Sequence, residues 1–188
     1  MKKQVIIIFM TMCAVLSAAS GSASTPDVID MDMRIIDNNI IVSLSVENVA
    51  EFEATINSGI EKEIVFTVEL LRVWNFWPDE FVVSKKIKKV IRYDNLREQY
   101  RASSYDGIVR TEKKFRDYSA VKNWIFRVDG INLAHIKELE PGRYYLRAIV
   151  ESKSLKQLPL TGFLMHFIPE VEMSLARESR PFLVEGRR

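Results

Sequence analysis

Leu139-Glu140-Pro141-Gly142-Arg143-Tyr144-Tyr145-Leu146-Arg147-Ala148-Ile149-Val150 is the stretch from which the architecture follows. The Pro-Gly pair marks a turn, since proline presets its own φ and glycine accepts conformations that other residues resist. A strand then enters at Tyr144, with Tyr144, Leu146, Ala148 and Val150 on one face. A leucine, a Pro-Gly turn and a tyrosine entering a strand form the pattern of a tyrosine corner, whose hydroxyl bonds back to the backbone a few residues upstream. Gly142 and Tyr144 are therefore read as structural positions, and the chain as mainly β: an antiparallel immunoglobulin-like β-sandwich with two short helices.

The stretches on either side agree. Met33 to Ile36 and Ile40 to Val46 flank Asp37-Asn38-Asn39, residue types that tolerate left-handed backbone and favour a tight hairpin. Asn48, with Glu51 three residues on, reads as a helix cap, and Gly59 as its stop; Val49, Phe52 and Ile56 share a face. From Ile60 to Trp74 the period returns to two, with Ile64, Phe66, Val68, Leu70 and Trp74 on one side. Phe81 to Tyr93 and Gln99 to Tyr105 read as further strands joined at Asp94-Asn95, and Tyr105-Asp106-Gly107 signals the next hairpin. Asp117 to Phe126 switches to helical spacing, with Asp117 or Ser119 available as a cap. Phe163 to Ile168 reads as a strand, and the pattern blurs from about residue 170.

At the other end, Lys2 and Lys3 lead into the apolar run Val5 to Leu16 and the small-residue tract Ser17 to Ser24, the layout of a cleavable signal peptide over residues 1–23. The run is shorter than the roughly 20 apolar residues of a membrane-spanning helix, so no membrane span is expected after cleavage. Residues 24–32 then read as a polar linker, and 33–188 as a single domain. Of 27 basic side chains, Lys2 and Lys3 leave with the leader, and the remaining 25 face 25 acidic ones. A neutral mature chain lacks the basic footprint of a nucleic-acid binder. Cys13 also lies in the leader, which leaves neither a disulfide nor a thiolate nucleophile for the mature domain.

Constellations for chemistry are thin. His135 and Glu138 stand three apart in a strand or turn, where such residues point to opposite faces. No G-x-S-x-G elbow or phosphate-cradling loop occurs, and 7 glycines leave little material for one. No enzyme, cofactor or metal is expected. Lys85-Lys86-Ile87-Lys88-Lys89 reads as a solvated strand whose lysines resist edge pairing. The most distinctive run is Trp74-Asn75-Phe76-Trp77-Pro78-Asp79, where two indoles and a phenyl ring fit either a core or a recognition surface. Pro78 biases Trp77 to extended geometry and ends the strand, so Trp77 is expected on a loop and Trp74, in phase with Leu70, in the core. Arg92 and Tyr93, with Tyr100, make a second candidate interface, since tyrosine and arginine are enriched at hot spots; a hairpin with cross-strand pairs explains them about as well.

Asn57-Ser58-Gly59-Ile60, the strand Val65 to Val73 ending at Trp74 to Asp79, Ile91-Arg92-Tyr93-Asp94-Asn95-Leu96 with Tyr100, and Pro141-Gly142-Arg143-Tyr144-Tyr145-Leu146-Arg147 with Leu158-Pro159 resemble, taken together, a family of small exported bacterial proteins, domain of unknown function 4390. The resemblance implies an exported, non-catalytic protein of the Gram-negative envelope and carries no functional residues with it. The expected function is a periplasmic or extracellular binding or scaffold module whose partner is another envelope protein. The alternative is a carbohydrate- or lipid-handling protein using an aromatic platform. The candidate binding residues are Trp74, Phe76, Trp77, Asp79, Arg92, Tyr93 and Tyr100. A scaffold predicts buried tryptophans, whereas a glycan or lipid binder predicts an exposed ring beside a cleft.

Overall fold

In the computed structural model, which describes residues 25–49, 51–155 and 171–185, Asp37 and Asn38 both take positive φ, at 51° and 64°. Two such residues make the tight turn whose twist matches paired strands, and they join β1 (Asp27–Ile36) to β2 (Asn39–Glu47) with Ile36 opposite Asn39. The polar stretch read as a linker is thus strand from Asp27 onward. Asp27 pairs with Glu47, Val28 is buried, and the Arg177 guanidinium reaches the Val28 carbonyl. The linker reading failed because a register shift between Ile29 and Asp32, with Asp30 at φ 50°, breaks the alternation.

The helix α1 (Glu51–Asn57) follows, burying Phe52 and Ile56 with the preceding Val49. Asn48 lies three residues ahead of it at φ 60° and turns the chain there, so it does not cap the helix. Gly59 takes φ 84°, the left-handed exit that a side chain resists. Next come β3 (Glu61–Arg72), β4 (Glu80–Asp94), β5 (Gln99–Tyr105) and β6 (Arg110–Phe115), an antiparallel meander. Asp117 caps α2 (Tyr118–Ile125), accepting the Ala120 N–H at 2.8 Å. After it, β7 (Arg127–His135) completes a three-stranded sheet in the order β1-β2-β7. Sequence reading missed β7 because its pairing with β2 is twice shifted in register and Gly130 takes φ 70°, which hides the period of Val128, Ile131 and Leu133.

The Tyr144 hydroxyl donates to the Glu140 carbonyl at 2.7 Å, four residues upstream, at the entry to β8 (Gly142–Leu155). Gly142 leaves room for Arg72: a Cβ there would lie 3.0 Å from the Arg72 Nε. β8 pairs with β3 along its length, and its other edge carries β9 (Val171–Glu178) and β10 (Phe182–Val184). The stretch from residue 170, blurred in sequence, is therefore two strands of the larger sheet. That sheet runs β10-β8-β3-β4-β5-β6, with β9 beside β8. One core fills the space between the sheets: Ile40, Val42 and Leu44 from one, Phe66, Leu70, Leu146 and Val150 from the other, and Val121 and Ile125 from α2. The result is a mainly β antiparallel sandwich with two short helices among the described residues, none long and apolar enough to cross a membrane. The expected leader and the expected strand Phe163 to Ile168 lie outside the described residues.

Candidate functional site

The inward face of β3 ends the core at Leu70. The next inward position is Arg72, at the rim, where its guanidinium donates to Glu140 Oε2 at 2.5 Å and to the Pro141 carbonyl at 2.9 Å. Trp74, one step further in the same phase, therefore lies beyond the sandwich. It is 44 % exposed, not buried as its phase with Leu70 suggested: alternation reports which face a residue takes, not how far the opposite sheet extends. Its ring rests on the Arg72 guanidinium at 4.6 Å and its indole N–H donates to Glu80 Oε2 at 3.1 Å.

Beyond Trp74 the loop into β4 presents its rings outward, with Phe76 94 % and Trp77 76 % exposed, and Phe81 at the start of β4 is 58 % exposed. The base of this loop is held. Asp79 Oδ1 accepts the Trp74 N–H at 3.3 Å, Asp79 Oδ2 accepts the Tyr145 hydroxyl at 3.1 Å, and the Val73 N–H donates to the Arg143 carbonyl at 2.8 Å. Burial pushes the Tyr145 hydroxyl up, so it stays a donor to that carboxylate. Asp79 is thus an anchor for the loop, and Phe81, in β4 as the strand reading from Phe81 to Tyr93 expects, joins the aromatic set. Its signal is the β4 bulge, where Leu70 and Leu71 face Val83 and Phe81 and Val82 is the extra residue. Among the described residues, β4 ahead of Lys88 pairs only with β3, because β5 first meets β4 at Lys88.

The second candidate group does not converge with the first. Tyr93 and Tyr100 face each other across β4 and β5 with ring centroids 4.8 Å apart. Tyr100 is buried, and its hydroxyl donates to Asn57 Oδ1 at 2.6 Å, tying α1 to the sheet; burial raises its pKa. Both tyrosines point inward and are packing residues, whereas Arg92 lies on the opposite, outer face of the sheet, lining a separate cavity.

Within the basic run, Lys85, Lys86 and Lys88 are exposed, but Lys89 turns inward and is only 5 % exposed. The solvated-strand reading therefore fails for Lys89, whose ammonium donates to the carbonyls of Trp124, at 2.5 Å, and of Arg127, and lies 4.5 Å from the Trp124 ring centroid. It serves the C-terminal end of α2, where unpaired carbonyls favour a cation. His135 ends β7 with its Nδ1 accepting the Lys137 N–H at 3.3 Å. No group of three or more metal-ligating side chains is placed to hold an ion among the described residues.

The cavities of about 480, 630 and 370 Å³ are walled by other residues than the aromatic loop. The loop rings project outward; they line no pocket of that set. Projecting rings on a held base can enter an apolar groove or layer supplied by a partner, with little ordering of the loop on binding.

Among known proteins, the family model described as Domain of unknown function (DUF4390) matches residues 23–170. Neither a curated protein nor a solved structure matches the chain.

Proposed function

The chain belongs to the DUF4390 family, and from that premise we propose that it is an exported envelope protein, a non-catalytic binding module whose rings of Trp74, Phe76, Trp77 and Phe81, on the loop between β3 and β4 and at the start of β4, insert into an apolar groove of another envelope protein. The observation that carries this reading is the contrast within one loop: a base fixed through Asp79, Arg72 and Tyr145, and rings left in water. Large aromatic side chains held largely in water, like those of Phe76 and Trp77, are the usual composition of an interface anchor. Export is supported by the charged, apolar and small-residue layout of residues 2–24 and by a family match that begins at residue 23. Exposed Trp74 and Trp77 run against a scaffold with buried tryptophans and supply the exposed ring that a carbohydrate- or lipid-handling platform requires. That platform is the weaker reading because the described cavities, which would supply its cleft, are walled elsewhere.

The test is retention of envelope extract on the immobilised domain. Trp77→Ala combined with Phe76→Ala is expected to leave the melting temperature nearly unchanged, since both rings are largely solvated. The same change should weaken partner retention by about 2 kcal/mol or more, roughly thirtyfold. Unfolding of the variant, or retention equal to that of the wild type, would sink the proposal.

A further inference from the structure

On the outer face of the larger sheet, away from the core, Arg92 stands opposite Arg101 and Arg101 opposite Lys114. All three line the cavity of about 480 Å³, with Arg110 at one side and Glu61 and Glu112 as its acidic members. Neighbouring strands run about 4.8 Å apart, so three cations share one cross-strand row, an arrangement that like-charge repulsion makes unfavourable. Local compensation is partial. Glu112 pairs with Arg110 at 3.2 Å, and Asp94 approaches Arg101 at 3.5 Å. The Arg101 Nε is sealed from solvent and makes no hydrogen bond, and neither Arg92 nor Lys114 forms an ion pair among the described residues. A sandwich needs no such row to hold together: the positions are on the solvent side, where alternating signs would cost less.

We propose that this groove binds a phosphate-bearing ligand, with Arg92, Arg101 and Lys114 gripping the phosphate. Guanidinium forks match phosphate oxygens in pairs, and a bound dianion removes the repulsion within the row. The cavity volume falls in the range of ligand pockets, so it admits the phosphate with part of the molecule that carries it. A soluble phosphate compound and a phospholipid head group offer the same chemistry. The site lies apart from the aromatic loop and stands or falls independently of it.

The experiment uses pyrophosphate as the probe, at millimolar concentration with sodium chloride matching ionic strength in the controls. The wild-type domain is expected to melt several degrees higher with pyrophosphate, through mass action on the folded state. Arg92→Gln combined with Lys114→Gln is expected to melt no lower than the wild type without the anion, because a repulsive row has been relieved, and to show no rise with it. Arg101→Gln provides a second variant, and calorimetric titration of the wild type needs no variant at all. Sedimentation with phosphatidylglycerol vesicles, lost in the double variant, assigns the phosphate to a lipid head group; absence of sedimentation alongside a pyrophosphate shift assigns it to a soluble compound. No saturable heat with wild type, or equal shifts in wild type and double variant, overturns the proposal.

Discussion

A chain stopped after Glu170 is expected to lose its cooperative fold. Removing β9 and β10 strips the outer edge of β8 along Arg147 to Lys153 and at Gly142 to Tyr144. It also deletes Met173 and Val184, both buried in the core, and Leu175 and Phe182, packed against it. Each fully buried side chain of this kind contributes about 1.5–3 kcal/mol, and the lost strand pairing adds to that. The total is on the order of 5 kcal/mol or more, comparable with the whole stability of an ordinary domain. Further ties go with the tail: the Leu146 N–H donates to Ser179 Oγ at 2.9 Å, Ser179 N–H to the Leu146 carbonyl at 2.8 Å, and Lys62 loses Glu172. Thermal melting by circular dichroism decides the matter. A cooperative transition close to that of the full chain would show that β9 and β10 are dispensable.

The second large effect is a pH dependence carried by Lys89. Burial lowers its pKa from the ordinary 10.5 to about 8, opposed in part by nearby Asp129. Above about pH 8 the folded protein has released this proton while the unfolded chain still holds it, so the unfolded state binds more protons and stability rises with pH. Each pH unit inside that window is worth up to about 1.4 kcal/mol, which gives roughly 2–3 kcal/mol between pH 8 and 10. Higher up, the sign reverses: burial pushes the Tyr118 hydroxyl up to about 12, so unfolded tyrosine ionises first and stability falls. Lys89→Met should abolish the rise between pH 8 and 10. Denaturant titrations of both proteins across that range isolate the contribution, because exposed groups titrate alike in each. Parallel curves would mean that Lys89 is not desolvated in the folded state.

The legible parts of the fold were those where local chemistry and global architecture coincide. Asp37-Asn38 demanded a tight turn, Asp117 a helix start, and the alternation from Ile64 to Leu70 a half-buried strand, and each is placed so. The Pro141-Gly142 turn and Tyr144 marked the corner because its hydrogen bond closes within four residues. Illegible elements depended on partners distant in sequence. β7 lost its period to Gly130 and two register shifts, β1 hid its first residues behind a bulge among aspartates, and β9 reveals itself only as the neighbour of β8. In the candidate site, the exposure of Trp77 was readable from Pro78, while that of Trp74 was not. Its placement depends on where the core stops, a property of the facing sheet and of Arg72 at the rim. Tyr93 and Tyr100 looked like interface residues by composition, but the register turns them inward and leaves Arg92 outside.

The proposal that the aromatic loop is the contact surface is tested most directly by photo-crosslinking in cells making the full chain, with a benzophenone amino acid in place of Trp77. The same group in place of Leu96, 98 % exposed at the opposite end of β4, serves as the control. The account predicts a discrete crosslinked species of higher mass from position 77 and none from position 96. Crosslinking of equal strength and pattern from both positions, or from position 96 alone, would contradict it.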